Sequence, residues 1–214
     1  YSSLPATYKL PVSIKKDYFE KDSEDSHIRS ESSSFTYDQY GNIETSTDSG
    51  GISMDYIYYP AAGVTGKCPK DKNGFVRYLH SSNKYQNDMS VDSIENTYTY
   101  LAMQVKVGYD YVVENSETER KIISMHWSDN SKETTKTYYG MEEVNPFNRG
   151  KLKTTKLILN GQPGITTRYD YSLSTDGNEI TLTTTQTGAD GKQLVYSETA
   201  MTRTGWPVCM TDAL

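Results

Sequence analysis

The stretch Ser34-Phe35-Thr36-Tyr37-Asp38-Gln39-Tyr40-Gly41-Asn42-Ile43 constrains this chain more than any other. In extended backbone Phe35 and Tyr37 fall on one side. Asp38 to Gly41 then has the spacing of a type I turn, with Asp at the first position and Gly at the fourth. Asp38 is placed to accept hydrogen bonds from the amides ahead of it. Gly41 is free to take the positive φ with which the chain leaves the turn, and Ile43 to Thr47 reads as the returning strand. The motif is strand, turn, strand, and it brings no reactive group with it.

Similar signals recur along the sequence. Val12 to Lys16 alternates as an edge strand whose lysines discourage further pairing. Lys21 to Ser26 reads as an exposed loop, and Ser46 to Gly51 as another. Ile52 to Tyr59 is a strand with Met54, Tyr56 and Tyr58 on one face, ended by Pro60. From Thr97 the strands lengthen, running through Tyr98, Tyr100 and Ala102 to Tyr109 and Val113. Glu114 to Glu117 reads as a polar turn, with Lys121 to Trp127 returning as the second arm of a long hairpin. Gly140 to Gly150 breaks the alternation and reads as a connection with room for one helical turn. Leu152 to Leu159 and Ile165 to Leu173 flank an Asn160 to Gly164 turn. Asp176-Gly177 and Asp190-Gly191 punctuate two more strands, Glu179 to Thr187 and Gln193 to Met201. The predicted fold class is all-β, with antiparallel strands and long hairpins in a single segment spanning residues 1–214.

Composition decides what such a sheet packs against. A compact fold of 214 residues buries roughly 70% of its extended-chain surface, which leaves room for a core. Yet only 35% of residues are hydrophobic and the mean hydropathy is −0.73. The apolar load falls on 19 tyrosines, against 4 phenylalanines and 2 tryptophans. Tyr and Thr suit pleated, half-exposed surfaces, so a sheet with a wet face is expected. A net charge of −6 argues against nucleic acid or anionic lipid as partners, since both need a positive footprint. No apolar run is long enough for a membrane span, and Tyr1 to Pro5 has no basic region followed by an apolar stretch, so no signal peptide is read. Cys68 and Cys209 read as buried free thiols. His27, His80 and His126 are scattered without zinc-site spacing. Glu142-Glu143 reads as ordinary solvated charge, and neither His80 nor His126 has thiol-protease spacing to Cys68. No catalytic residue, metal ligand or cofactor site is therefore assigned.

Tyr37, Asp38, Gly41 and Asn42, in the pattern Tyr-Asp-x-x-Gly-Asn-Ile, resemble the unit of the YD-repeat, or Rhs, family of large bacterial toxin-system proteins, whose repeats wind into a hollow β-shell. A second stretch, Tyr59-Pro60-Ala61-Ala62-Gly63 followed by Cys68-Pro69-x-Asp71-x-x-Gly74-Phe75-Val76-Arg77-Tyr78-Leu79, resembles the Rhs-type shell proteins of bacterial insecticidal toxin complexes, their B and C components. Thr202 to Pro207 resembles a degenerate repeat turn and Thr211 to Leu214 the start of another unit, which implies a piece of a longer chain. Tyr109-Asp110 and Tyr169-Asp170 carry the dipeptide without the glycine, so they are expected inside strands. Nothing matches the family's self-cleaving aspartyl-protease core or its toxin tail.

The resemblance implies a wall segment that encloses a C-terminal toxin domain for delivery, with no chemistry of its own. Its partners would be the rest of its own shell, other toxin-complex subunits and the enclosed toxin, in a secreted assembly. The competing expectation is an extracellular carbohydrate- or receptor-binding β-module, with exposed tyrosines and Trp127 or Trp206 stacking on the ligand. An enzyme has the least support.

Overall fold

The computed structural model describes residues 10–21, 26–86, 92–107, 109–123 and 126–211; for 19–21, 26–28, 105, 109–110, 122–123 and 126–130 it describes the backbone alone. Thirteen strands follow one another in chain order: β1 (Ser13–Lys21), β2 (Ser26–Tyr37), β3 (Ile43–Thr47), β4 (Ile52–Tyr58), β5 (Leu79–Gln86), β6 (Asp92–Lys106), β7 (Tyr109–Ile123), β8 (His126–Tyr138), β9 (Leu152–Leu159), β10 (Gln162–Leu173), β11 (Glu179–Thr187), β12 (Gln193–Met201) and β13 (Pro207–Thr211). The sheet keeps that order from β1 to β13, so each strand pairs with its sequence neighbours. The fold is all-β and antiparallel, and no helix occurs among the described residues. The span Gly140 to Gly150, where a helical turn had room, is a series of turns.

Two compact units divide the chain, one formed by residues 1–98 and 119–129, the other by 99–118 and 130–214. In the first unit the hairpins β2–β3 and β3–β4 close on the same turn. Gly41 N donates to Asp38 O at 3.1 Å and Gly51 N to Asp48 O at 3.1 Å, with the two glycines at φ 86° and 76°. In each turn the aspartate Oδ1 accepts two further amides, from Tyr40 and Asn42 or from Gly50 and Ile52. The second unit closes β11–β12 with Gly191 at φ 78°, its amide donating to Gly188 O at 3.0 Å. Its β9–β10 hairpin is tighter than the sequence suggests. Asn160 (φ 52°) and Gly161 (φ 75°) alone make the loop, and Leu159 already faces Gln162. Two consecutive positive φ values match the right-handed twist of the flanking strands. Pro163 and Gly164 therefore belong to β10, where the register shifts between Pro163 and Thr166 and the bulge absorbs the proline.

β7 corrects the sequence reading most. Glu114 to Glu117 is not a turn but the middle of a continuous 15-residue strand. Side-chain pairing explains it: Thr99 Oγ1 and Ser116 Oγ are 2.6 Å apart, Asn115 Nδ2 donates to Thr99 Oγ1 at 3.2 Å, and Lys136 Nζ meets Glu114 Oε1 at 2.7 Å. Polar residues sit mid-strand when cross-strand partners satisfy them. The same device recurs in the hydroxyl pairs Thr36–Thr45 at 2.7 Å, Thr137–Thr154 at 2.6 Å and Thr181–Thr199 at 2.8 Å.

The expected core is the second correction. Among the described residues the buried hydrophobic side chains are Tyr59, Cys68 and Tyr139, while Ser81, Ser82, Ser93, Thr167 and Thr184 are buried polar ones. Large apolar side chains such as Ile57 (60%), Trp206 (73%) and Met210 (69%) stay exposed. The third concerns the thiols, both of which are free. Cys68 is buried, but Cys209 is exposed on β13.

Candidate functional site

The Asp38 turn and the connection between β4 and β5 meet at Asn42. Asn42 Nδ2 donates to Asp38 Oδ2 at 3.0 Å and to the Val76 carbonyl at 2.8 Å. Of the motif residues, Asp38 thus organises the turn, Gly41 supplies the positive φ, and Asn42 ties the turn to the connection 34 positions ahead. Tyr37 works on the other side, its hydroxyl donating to the Pro11 carbonyl at 2.8 Å. The two stretches that carry the family resemblance are therefore joined by a side-chain hydrogen bond in the first unit.

The β4–β5 connection is built around a third turn of the same kind. Asp71, 1% exposed, accepts the Asn73 and Phe75 amides on Oδ1 at 2.9 and 3.1 Å, and Gly74 takes φ 74°. Its Oδ2 pairs with Arg77 Nε at 2.6 Å. The Phe75 amide above all, then the Asn73 amide and Arg77, hold the carboxyl below the usual carboxylate range against the opposing effect of desolvation. A β-carbon on Gly63 would lie 2.6 Å from Cys68 O and 2.7 Å from Lys70 N, so the chain packs on itself where only glycine fits. Burial, with a smaller contribution from Asp71, pushes the Cys68 thiol up, which makes it inert at neutral pH.

Tyr59 anchors this connection from below. Its amide donates to Tyr78 O at 2.8 Å, and its hydroxyl donates to Tyr98 O on β6 at 2.8 Å. The second unit repeats the arrangement between β8 and β9. Tyr139 N donates to Lys151 O at 3.0 Å, and its hydroxyl donates to Tyr169 O on β10 at 2.9 Å. Register shifts precede both tyrosines, between Ile57 and Tyr58 and between Thr137 and Tyr138. The second residue of the following strand then covers each ring: His80 edge-on at 4.7 Å from Tyr59, and Lys153 Nζ 5.2 Å from the Tyr139 ring centre. Each latch tyrosine crosses the next strand to hold the one beyond it. No sequence motif announced the pair. The Tyr-Tyr dipeptides 58–59 and 138–139 were the available signal, but the carbonyls they reach lie 39 and 30 positions away.

Between the Asp38 turn and the connection lies an open groove of about 520 Å³, lined by Tyr40, Tyr56, Tyr58, Pro60, Asp38 and Glu44 among others. Burial first, and the negative field of Asp38 second, push the Tyr58 hydroxyl up. Trp206, a candidate stacking residue, is exposed beside β13 in the second unit, while the side chain of Trp127 lies outside the described residues. Tyr169 and Asp170 lie within β10, and Asp170 Oδ1 accepts from the Tyr139 hydroxyl at 3.2 Å. Among the described residues no group of three or more His, Cys, Asp or Glu is placed to hold a metal ion, and no helix is long and apolar enough to cross a membrane.

No protein-family model and no curated protein matches this chain. The likeness to the YD-repeat family accordingly rests on the motif residues themselves.

Proposed function

We propose that this chain is a wall segment of a YD-repeat β-shell that encloses a toxin domain for delivery. The observation that carries the reading is the sheet's burial pattern. Long antiparallel strands follow in chain order with hydroxyl ladders and polar residues where a free-standing domain would place a hydrophobic core. A wall needs strands solvated on both faces and stiffened across the strands, because an enclosed compartment lies on one side and solvent on the other. The Asn42 tie, which joins the Asp38 turn to the β4–β5 connection, and the two tyrosine latches, each fixing a connection to the strand beyond the next, supply that stiffness. No chemistry is assigned to the wall itself.

Protease protection tests the reading. The product of the complete reading frame that contains these residues is digested beside its C-terminal domain expressed alone. The domain should survive far longer inside the complete product. Equal digestion rates, or a reading frame with no further domain, would overturn the proposal.

A further inference from the structure

The groove beside the Asp38 turn has a lining that selects a ligand class. Tyrosine rings and Pro60 form much of its wall, Asp38 and Glu44 supply the charge, and among the described residues no lysine, arginine or histidine takes part in the lining. Tyr40 is 57% exposed, so its ring is available to a ligand. The carboxylate of Asp38 is already occupied by the Tyr40 and Asn42 amides and the Asn42 side chain. It contributes negative field, while Glu44, exposed on β3, contributes a carboxylate at the rim. A volume of about 520 Å³ falls within the ~300–1,000 Å³ of small-molecule sites.

Two ligand classes are disfavoured on physical grounds. Phosphates and carboxylates would meet like charge with no base in the described lining to offset it. An extended peptide cannot add as a strand, because β3 is already paired with β2 and β4, and β4 with β3 and β5. Ring faces together with negative charge instead favour a cation, attracted by the aromatic quadrupole and by the carboxylates at once.

We propose that this groove binds a small organic cation of the quaternary alkylammonium class, seated on the faces of Tyr40 and Tyr58 with Glu44 at its rim. The assignment is independent of the shell-wall reading, since a wall segment and a free module would carry the groove alike.

Calorimetric titration of the 214-residue chain with choline, with its neutral isostere 3,3-dimethyl-1-butanol and with maltose tests it. Choline should bind, and the isostere at least about tenfold more weakly, within the roughly 2- to 30-fold range that one cation–π contact supplies. Glu44→Gln and Tyr40→Leu should each weaken choline several-fold while leaving the thermal midpoint in place, because Glu44 and the Tyr40 ring are exposed and neither side chain has an assigned part in the turn. Equal binding of the isostere, preferential binding of maltose, no heat with choline at millimolar concentration, or affinity unmoved in both variants at an unchanged midpoint would each overturn the proposal.

Discussion

At the scale of single residues, backbone conformation separates glycines that look alike in sequence. Gly74 takes φ +74° with open space where a β-carbon would go, whereas Gly63 takes the same angle with Cys68 O only 2.6 Å from that position. Gly74→Ala should therefore cost about 1 kcal/mol for conformation alone, as should Gly41→Ala at φ 86°. Gly63→Ala should cost clearly more, because the backbone of 68–70 must also move. Urea denaturation of the three variants checks the ranking, and a Gly63→Ala midpoint no lower than that of Gly74→Ala would contradict it. Charge at this scale gives a pH prediction. Asp176, held by Ser174 first and then by Asn178, has its carboxyl lowered from 3.8 to about 2. A depressed folded-state pKa means the stabilisation is complete above about 4 and is lost as pH falls through about 2. Asp71 is lowered in the same direction. Replacing both by asparagine should flatten the acid limb of stability between those values, measured as the change in denaturation midpoint from pH 5 to pH 2.5. The thiols differ too: Cys209 should react with a disulfide reagent in the native state and Cys68 only on unfolding.

At the scale of elements, each latch tyrosine spans two strands through one hydroxyl. Tyr59→Phe and Tyr139→Phe should each destabilise by about 0.5–1.5 kcal/mol, the net worth of the part-buried hydrogen bond each removes. The two sit in separate units and their hydroxyls reach different carbonyls, so the double variant should equal the sum within about 0.5 kcal/mol. Loss in only one of the two would break the equivalence of the latches. This scale also shows what the sequence could reveal. The turns at Asp38, Asp48 and Asp190 were legible because an Asp or Gly acts within four residues of itself. β7 departs from the sequence reading because Glu114 to Glu117 has turn composition, while Thr99, Lys136 and Tyr138, far away in sequence, help keep it extended. The latches were invisible for the same reason. In the candidate site, Asp38, Gly41 and Asn42 could be picked out beforehand, but the reach of Asn42 to Val76 could not.

At the scale of the whole molecule, the apolar surface that a sheet leaves uncovered decides its behaviour in solution. Among the described residues β13 pairs with β12 alone, and it carries Val208 and Met210 exposed at 52% and 69%, while β12 exposes Leu194, Val195 and Tyr196 in succession. Unpaired edges and exposed apolar strands are templates for pairing with another chain. If the chain is the wall segment proposed above, it should seek substitutes for the neighbours such a wall supplies. Sedimentation velocity across a hundred-fold concentration range reads this directly. The mass should climb above 24.2 kDa as concentration rises, and return toward the monomer when Val208 and Met210 are changed to lysine. A mass fixed at the monomer throughout, in a chain that also captures a glycan or cell-surface receptor through its exposed tyrosines, would contradict the wall and establish the binding module.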